Sequence, residues 1–124
     1  MNKPCQGDII LTNFDPVKGH EQSGYRPALV VSNAVFNKAS NLTFICPISN
    51  TNRKKPMDIP LKDTRKKSGG VAGTTGTRGY ILCEHIRAVD LHDRGYETTN
   101  EAVSEETLLR VIDIIQGAAD VLSP

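Results

Sequence analysis

Aromatic residues are scarce in this sequence, which has no tryptophan, three tyrosines and three phenylalanines among its 124 residues. Small β-barrel modules that bind peptides or single-stranded nucleic acids usually display several exposed aromatic side chains, on which a proline or a base stacks. The shortage argues against a simple binding module of this kind, which therefore remains only an alternative.

Cysteine is also scarce, and Cys5, Cys46 and Cys83 cannot all pair with one another. No two of them have the C-x-x-C spacing, and the three histidines are dispersed along the chain. A zinc site needs about four converging ligands, usually in closely spaced pairs. We therefore expect no metal and no cofactor, and we interpret Cys46 and Cys83, which lie in apolar segments, as thiols of the core.

The sequence has no long apolar run. The longest, residues 28–31 and 80–83, are too short to cross a bilayer, and no apolar signal segment follows Lys3. These features predict a cytoplasmic protein without a membrane segment, and the odd number of cysteines fits a reducing compartment. The length fits one compact domain that spans residues 1–124.

Neither charge is in large excess, since the net charge is +1. The global field therefore gives little support to nucleic-acid binding. The positive charges are nevertheless grouped into two clusters, residues 53–55 and 62–67, which flank one short segment. Each cluster alone is typical of a solvated loop. Because the two clusters flank one short segment, a local face that attracts anions remains an equally good interpretation.

Short segments rich in β-branched and aromatic residues indicate a mainly β fold. The predicted strands cover residues 8–14, 28–32, 42–48, 57–61, 79–83, 86–90 and 94–98. Pro60 confines the weak strand 57–61 to an edge of the sheet, because proline lacks the N–H group that a central strand donates. Residues 35–39 are predicted as a short helical turn, and the glycine-, threonine- and lysine-rich residues 66–79 as a mobile loop.

The end of the chain changes to a helical period. Ser104 is predicted to cap a helix whose first turn carries Glu105 and Glu106, which suit the positive end of the helix dipole. Apolar residues then recur at helical spacing, at Leu108, Val111, Ile112, Ile115, Ala119 and Leu122. This stripe must be buried on the β-core or on a partner chain. Short strands followed by one amphipathic helix predict a small barrel-like sheet with a helix packed against it.

The densest polar chemistry lies in residues 19–27, Gly-His-Glu-Gln-Ser-Gly-Tyr-Arg-Pro. This loop carries an imidazole, a carboxylate and a guanidinium, and loops on a rigid scaffold commonly present functional sites. Arg26 offers a planar fork of donors that matches two phosphate oxygens, so it is suited to stabilise charge on a reacting phosphate. Two plainer interpretations stay open, a solvated hairpin loop and an ion pair of Arg26 with Glu21 or Glu84.

A longer series of motifs runs through the chain in a fixed order. The motifs are Gly7-Asp8-Ile9-Ile10, Phe14-Asp15-Pro16, Gly19-His20-Glu21-Gln22, Arg26-Pro27-Ala28-Leu29-Val30-Val31-Ser32, Phe36-Asn37, Cys46-Pro47-Ile48-Ser49 and Glu84-His85-Ile86-Arg87-Ala88-Val89-Asp90. Together they resemble the signature of the PemK/MazF (Kid-like) toxins of type II toxin–antitoxin systems, and the resemblance extends from Gly7 to about Gly117.

The resemblance implies an SH3-like barrel with a C-terminal helix, of the PemK/CcdB-like type, that usually forms a symmetric homodimer. It also implies a metal-independent endoribonuclease that cuts single-stranded RNA, such as mRNA, at short sequence motifs and so inhibits translation and growth. A cognate antitoxin would neutralise it. The alternatives are a non-catalytic inhibitor similar to the CcdB-type gyrase poisons, and an SH3-like module that binds nucleic acid or peptide.

By this resemblance the family arginine falls on Arg26, and the hydroxyl residue after the third strand falls on Ser49. Some members use the loop histidine and an acidic residue, which match His20 and Glu84. Other members rely on an arginine two positions before that acidic residue, where this chain has Leu82. The role of Glu84 therefore stays open.

We hypothesise that the ribose 2′-hydroxyl attacks the adjacent phosphorus and leaves a 2′,3′-cyclic phosphate and a 5′-hydroxyl. His20 is the first choice for acid–base work and Glu21 the second, and Glu21 or Glu84 could serve if burial raised its pKa. The residues predicted to contact RNA are Gln22, Tyr25, Asn50, Thr51, Arg53, Lys54, Lys55, Arg78 and Arg87.

Overall fold

The computed structural model describes residues 3–14, 25–62, 64–66 and 76–122. In these ranges lie eight strands, β1 (Asp8–Asn13), β2 (Tyr25–Val30), β3 (Thr43–Ser49), β4 (Asp58–Leu61), β5 (Thr64–Lys66), β6 (Gly79–Leu82), β7 (Arg87–Val89) and β8 (Tyr96–Val103). The same ranges contain the helices α1 (Ala34–Ala39), α2 (Leu91–Arg94) and α3 (Glu105–Ala119), and a 3₁₀ turn (Cys83–His85).

The strands form one antiparallel sheet in the order β4-β6-β3-β2-β1-β8-β5, with β7 paired to β3 beyond the end of β6. The sheet is curled into a half-barrel, and a register shift between Ile9 and Ile10 marks a bulge where β8 pairs with β1. Asn100 takes a left-handed backbone there, with φ of 63°. Pro60 lies in β4 at the edge of the sheet, as predicted.

The two faces of the sheet carry separate apolar clusters. The larger cluster includes Leu29, Cys46, Ile81 and Val111, and α3 packs against it. The smaller cluster lies on the opposite face and consists of Ile10, Ala28, Val30, Ile45, Val89 and Leu91, with Phe14 and Tyr96 against it. Because side chains alternate along a strand, neighbouring residues of β2 and β3 contribute to opposite clusters.

Helix α3 begins as predicted, since the Ser104 hydroxyl accepts the Thr107 N–H at 3.2 Å. Val111 is fully buried, and Leu108, Ile112 and Ile115 are half-buried against the larger cluster. Ala119 and Leu122 are exposed, so the β-core does not cover them, and their burial on a partner chain stays a prediction. The helix ends at Ala119, so Leu122 lies beyond it and the apolar stripe is shorter than its sequence period indicated.

Several element boundaries differ from the sequence predictions. Strand β2 begins at Tyr25 rather than at residue 28, and the last strand runs over Tyr96–Val103 rather than 94–98. Lys66 belongs to β5 rather than to the predicted loop, and residues 67–75 of that loop lie outside the described residues. The sequence reasoning missed β5 and α2, because each is too short to show a period.

The cysteines are free, and Cys46 and Cys83 are buried as predicted. Cys83 lies in the 3₁₀ turn rather than in a strand. Burial raises the pKa of the Cys46 thiol to about 12 and that of Cys83 to about 11. Both therefore stay protonated at neutral pH. None of the helices in the described ranges has the length and apolar character needed to cross a membrane.

Candidate active site

Arg26 lies in β2 opposite Thr12 of β1. The alternation of side chains places it on the same face as Ala28 and Val30, which is the face that α3 does not cover. The Arg26 side chain is exposed, and it forms no hydrogen bond or ion pair with any described residue. In particular it is not paired with Glu84, whose partners are Lys55 and Arg53. The other pair considered for Arg26, with Glu21, lies outside the described residues. As far as the described residues go, nothing occupies the guanidinium, and its position on the surface would let it bind an external anion.

Ser49 is the last residue of β3, the strand beside β2. The two strands pair from Val30 with Ile45 to Ala28 with Pro47. Continuing this register by two residues sets Ser49 across from Arg26, at the same end of the strands and on the same face. The pairing itself ends at Ala28 and Pro47, so the two residues that the resemblance implies for the site lie just beyond it, at the same end of the two strands.

The hydroxyl of Ser49 is held in a defined position. Its oxygen accepts the Thr51 N–H at 3.1 Å, which leaves the hydroxyl hydrogen to donate elsewhere. Gly79 packs against the Ser49 carbonyl so closely that a Cβ at position 79 would overlap it, and its φ of 136° favours glycine. Ser49 is thus fixed between its own turn and the start of β6.

A charged cluster lies beyond Ser49, where Asp58 opens β4 with a side chain that is only 2% exposed. Arg53 binds this carboxylate with two hydrogen bonds, from Nε to Oδ2 at 2.9 Å and from Nη2 to Oδ1 at 2.6 Å. These bonds lower the pKa of Asp58 below its usual value despite its burial. The sequence reasoning missed Asp58, although a carboxylate five residues after Arg53 and behind a Pro56 turn was a usable signal.

Glu84, in the 3₁₀ turn, belongs to the same cluster. Its Oε2 accepts from Lys55 Nζ at 3.0 Å and lies 3.2 Å from Arg53 Nη2. The hydrogen bond from Lys55 is the main reason why the pKa of Glu84 is lowered. Arg53 Nη1 also lies 3.1 Å from His85 Nε2, and since a guanidinium only donates, His85 accepts through this nitrogen. We call these five residues the Arg53 network: Arg53, Lys55, Asp58, Glu84 and His85.

Two arginines hold the end of β1, where the undescribed residues 15–24 begin. Arg87 donates to the Phe14 carbonyl at 3.2 Å and lies 5.2 Å from the centre of the Phe14 ring. Arg94 donates to the Asn13 carbonyl at 2.8 Å, although 81 residues separate the two in sequence. Arg87 was predicted to contact RNA, and Arg94 was missed because no local pattern links it to Asn13.

The other predicted site residues fall into two groups. The first group is exposed and consists of Tyr25, Asn50, Thr51, Lys54 and Arg78. Tyr25 precedes Arg26 in sequence, Asn50 and Thr51 follow Ser49, and Arg78 precedes Gly79. Lys54 lies further along the loop after Ser49. His20, Glu21 and Gln22 lie outside the described residues. Within the ranges that the structure covers, no three His, Cys, Asp or Glu side chains are grouped so that they could hold a metal ion.

Comparison with known proteins assigns this arrangement to a family. Residues 5–117 match the family model of the PemK-like, MazF-like toxins of type II toxin–antitoxin systems. The chain is 36% identical over 118 residues to the endoribonuclease toxin ChpB of Escherichia coli strain K12, covering 90% of this chain and 93% of that protein. It is 30% identical over 116 residues to the endoribonuclease PemK of Escherichia coli, covering 89% and 80%.

Solved structures agree with this assignment. MazF from Deinococcus radiodurans superposes with a TM-score of 0.73 and 28% identity, covering 94% of this chain and 96% of that chain. A MazE–MazF complex from the same organism gives a TM-score of 0.73 at 28% identity, covering 94% and 95%. The predicted SH3-like barrel with a C-terminal helix is confirmed. The chain belongs to the family of PemK-like, MazF-like toxins of type II toxin–antitoxin systems.

Proposed function

We propose that this protein is an endoribonuclease toxin that cuts single-stranded RNA at short sequence motifs, without a metal ion, and thereby inhibits translation. The observation that carries the proposal is the exposed guanidinium of Arg26, which has no partner among the described residues. It lies on the strand next to the one that ends at Ser49, on the face of the sheet that α3 does not cover. The relatives that are named endoribonucleases support the same activity over a non-catalytic inhibitor or a binding module.

In the proposed reaction the ribose 2′-hydroxyl loses its proton and attacks the adjacent phosphorus. The bond from phosphorus to the 5′-oxygen breaks, and the leaving oxygen takes up a proton, so the products are a 2′,3′-cyclic phosphate and a 5′-hydroxyl. Arg26 and Ser49 donate to the phosphoryl oxygens and stabilise the charge that accumulates there. Arg26 is a poor source of the proton itself, because a guanidinium gives up its protons only with great difficulty.

We propose that residues of the segment between β1 and β2, residues 14–24, carry out the proton transfers. Asn13 and Tyr25 pair across the two strands, so residues 14–24 leave and re-enter the sheet directly beside Arg26. His20 and Glu21 belong to this segment. We propose His20 as the first choice for the general base and Glu21 as the second, because imidazole titrates near neutral pH.

The proposed RNA surface surrounds Arg26 and Ser49. The exposed side chains proposed to contact bases and phosphates there are those of Tyr25, Asn50, Thr51, Lys54 and Arg78. Gln22, which lies outside the described residues, is proposed as a further RNA contact. Arg87 holds the Phe14 carbonyl, so it shapes the border of this surface in addition to any contact with RNA.

The deciding experiment is incubation of the purified protein with a long RNA in EDTA, followed by mapping of the ends. We expect cuts at one short motif, with a 2′,3′-cyclic phosphate upstream of each cut and a 5′-hydroxyl downstream. Addition of Mg²⁺ should not raise the rate. Intact RNA, or cleavage only with Mg²⁺, would contradict the proposal.

We also propose a cognate antitoxin, in line with the MazE–MazF complex that this chain resembles. A disordered acidic segment could place carboxylates where phosphates bind, against Arg26 and Lys54. Binding of antitoxin and RNA should then be mutually exclusive and should weaken as salt is raised. A competition titration with a non-cleavable RNA tests this, and a stable ternary complex would contradict it.

The same proposal includes a symmetric homodimer in the cytoplasm, where mRNA is translated. Leu109 of α3 is 57% exposed, so the intramolecular core leaves part of the helix uncovered. Symmetric pairing is the commonest way in which soluble chains bury such surface. Sedimentation of the protein as a monomer at micromolar concentration would count against the dimer.

A further inference from the structure

The connection from β3 to β4, residues 50–57, has an unusual path. Strands β3 and β4 both run antiparallel to β6, which lies between them. They are therefore parallel to each other, and their connection must return along β6 instead of closing a hairpin. Ser49 pairs with Tyr80 at one end of β6, whereas Asp58 pairs with Leu82 at the other end, just before the 3₁₀ turn. We call residues 50–57 the crossover loop.

The crossover loop has few backbone bonds of its own. Inside it, Thr51 N–H binds the Ser49 hydroxyl at 3.1 Å and Lys54 N–H binds the Asn52 side chain at 2.9 Å. At its end, Asp58 N–H binds the Lys55 carbonyl at 3.1 Å. No strand ladder supports these residues, so side chains must hold the loop along β6.

The Arg53 network supplies this support. Arg53 reaches forward to Asp58 at the start of β4 and sideways to Glu84 and His85 in the 3₁₀ turn. Lys55 makes a second link from the loop to Glu84. Asp58 is buried and Arg53 is only 22% exposed in its side chain, so the central pair is shielded from water. A bidentate pair of this kind fixes the orientation of both partners.

Glu84 is poorly placed to accept a proton from RNA. The oxygen that accepts from Lys55 also faces Arg53, and both cations favour the charged carboxylate. A general base works best when its pKa is near the working pH, whereas these contacts lower the pKa of Glu84. Arg53 and Lys55 lie within ion-pair distance of the carboxylates of Asp58 and Glu84. These carboxylates therefore already neutralise much of the positive charge of the two side chains.

We infer that the Arg53 network braces the crossover loop against the 3₁₀ turn and so positions Ser49 for cleavage, and that Glu84 is a positioning residue and not the general base. The inference rests on the proposed nuclease function. By the same argument, Arg53 acts through Asp58 and Glu84 on the shape of the loop, instead of binding a phosphate of the RNA.

Three substitutions test the inference, namely Arg53→Ala, Glu84→Gln and the two combined. Each single substitution should lower kcat by about 10–100-fold, the loss expected when a reacting group is misplaced by about 1 Å. The double variant should be no worse than the poorer single variant, because one brace is lost in each case. Arg53→Lys should restore part of the rate. Arg110→Ala, which removes an exposed arginine from α3, serves as the control and should leave kcat unchanged.

The pH profile and the salt dependence separate positioning from the rival roles. If Glu84 positions the loop, Glu84→Gln keeps both limbs of the pH–rate profile. Loss of the acidic limb in Glu84→Gln but not in Arg53→Ala would identify Glu84 as the base and overturn the inference. For binding of a non-cleavable RNA, a fall of about 1 in the salt slope on Arg53→Ala would mean a direct phosphate contact and would also overturn it.

Hydrogen exchange provides a readout that does not depend on RNA. The amides of Thr51 and Lys54 should exchange faster in Arg53→Ala and Glu84→Gln than in the wild type or Arg110→Ala. Unchanged exchange at both amides would refute the brace. If the wild type itself failed to cut RNA, the proposed function would be wrong, whereas the exchange result would still decide whether the network holds the loop.

The two single variants differ in how strongly they threaten the fold. Arg53→Ala leaves the buried Asp58 carboxylate without its partner and could unfold the protein. Glu84 is exposed, so Glu84→Gln should fold and keeps the inference testable.

Discussion

Replacement of Arg26 by alanine is expected to lower the rate of RNA cleavage by at least about 10²–10³-fold, the usual cost of removing one donor that stabilises the transition state. The loss should be mainly in kcat, because the charge that Arg26 neutralises develops as the 2′-oxygen attacks. Stability should hardly change. The side chain is exposed and binds no described residue, so its removal breaks no contact of the core.

The measurement compares cleavage rates and thermal unfolding of the wild type, Arg26→Ala and Arg26→Lys, with Arg110→Ala as the matched control. Lysine keeps the charge but not the planar fork, so Arg26→Lys should recover only part of the rate. Arg110 lies on α3, which covers the other face of the sheet, and its loss should leave cleavage intact. Cleavage by Arg26→Ala at the wild-type rate would remove Arg26 from the mechanism.

An RNA with a single 2′-deoxynucleotide immediately 5′ of the scissile phosphate is expected to resist cleavage at that phosphate completely. The substitution removes the proposed nucleophile and leaves the phosphate, the bases and the other riboses unchanged. Because Arg26 and Ser49 are proposed to act on the phosphoryl oxygens, which the substitution leaves unchanged, the modified strand should still bind. It should therefore inhibit cleavage of an unmodified RNA competitively.

Three measurements check this expectation, namely cleavage of the modified strand, its Kd and its effect as a competitor. A strand with the deoxynucleotide one position further upstream is the control, and it should be cut. Cleavage at the modified position would identify water as the attacking group and would exclude a cyclic phosphate product. If the modified strand lost binding as well as cleavage, the protein would recognise the missing 2′-hydroxyl directly. The nucleophile would then be identified from the ends of the cleaved unmodified RNA, because a 2′,3′-cyclic phosphate forms only when the 2′-hydroxyl attacks.

Much of the fold could be predicted from the sequence, and the reasons lie in particular elements. Strands β1 and β3 are rich in apolar and β-branched residues, and α3 has a serine cap followed by a helical apolar period. Such signals are local and therefore visible in one sequence. Helix α2 was missed because it has only four residues and depends on its Asp90 cap, whose side chain accepts the Asp93 N–H at 3.1 Å.

The candidate site was predictable only in part, because its contacts are distant in sequence. Arg26 and Ser49 came from the motif resemblance, and the pairing of β2 with β3 places them at the same end of two neighbouring strands. The partners of Arg53 could not be found in the same way, since 26 positions separate Asp58 from Glu84. Charges that look free in a sequence can be paired in the fold, as Arg53 and Lys55 are here.

The fixed ends of the β1–β2 segment have a consequence for how this scaffold could diversify. Arg94 and Arg87 fasten the chain at Asn13 and Phe14, and the Asn13–Tyr25 pair closes the other end. The entropy cost of closing a loop rises by only about 0.6 kcal/mol for each doubling of its length. We therefore expect that residues 15–24 can be replaced by other sequences of similar length while the core packing stays the same. Under the proposed function, such replacements would change the proton donor or the RNA preference of the same barrel.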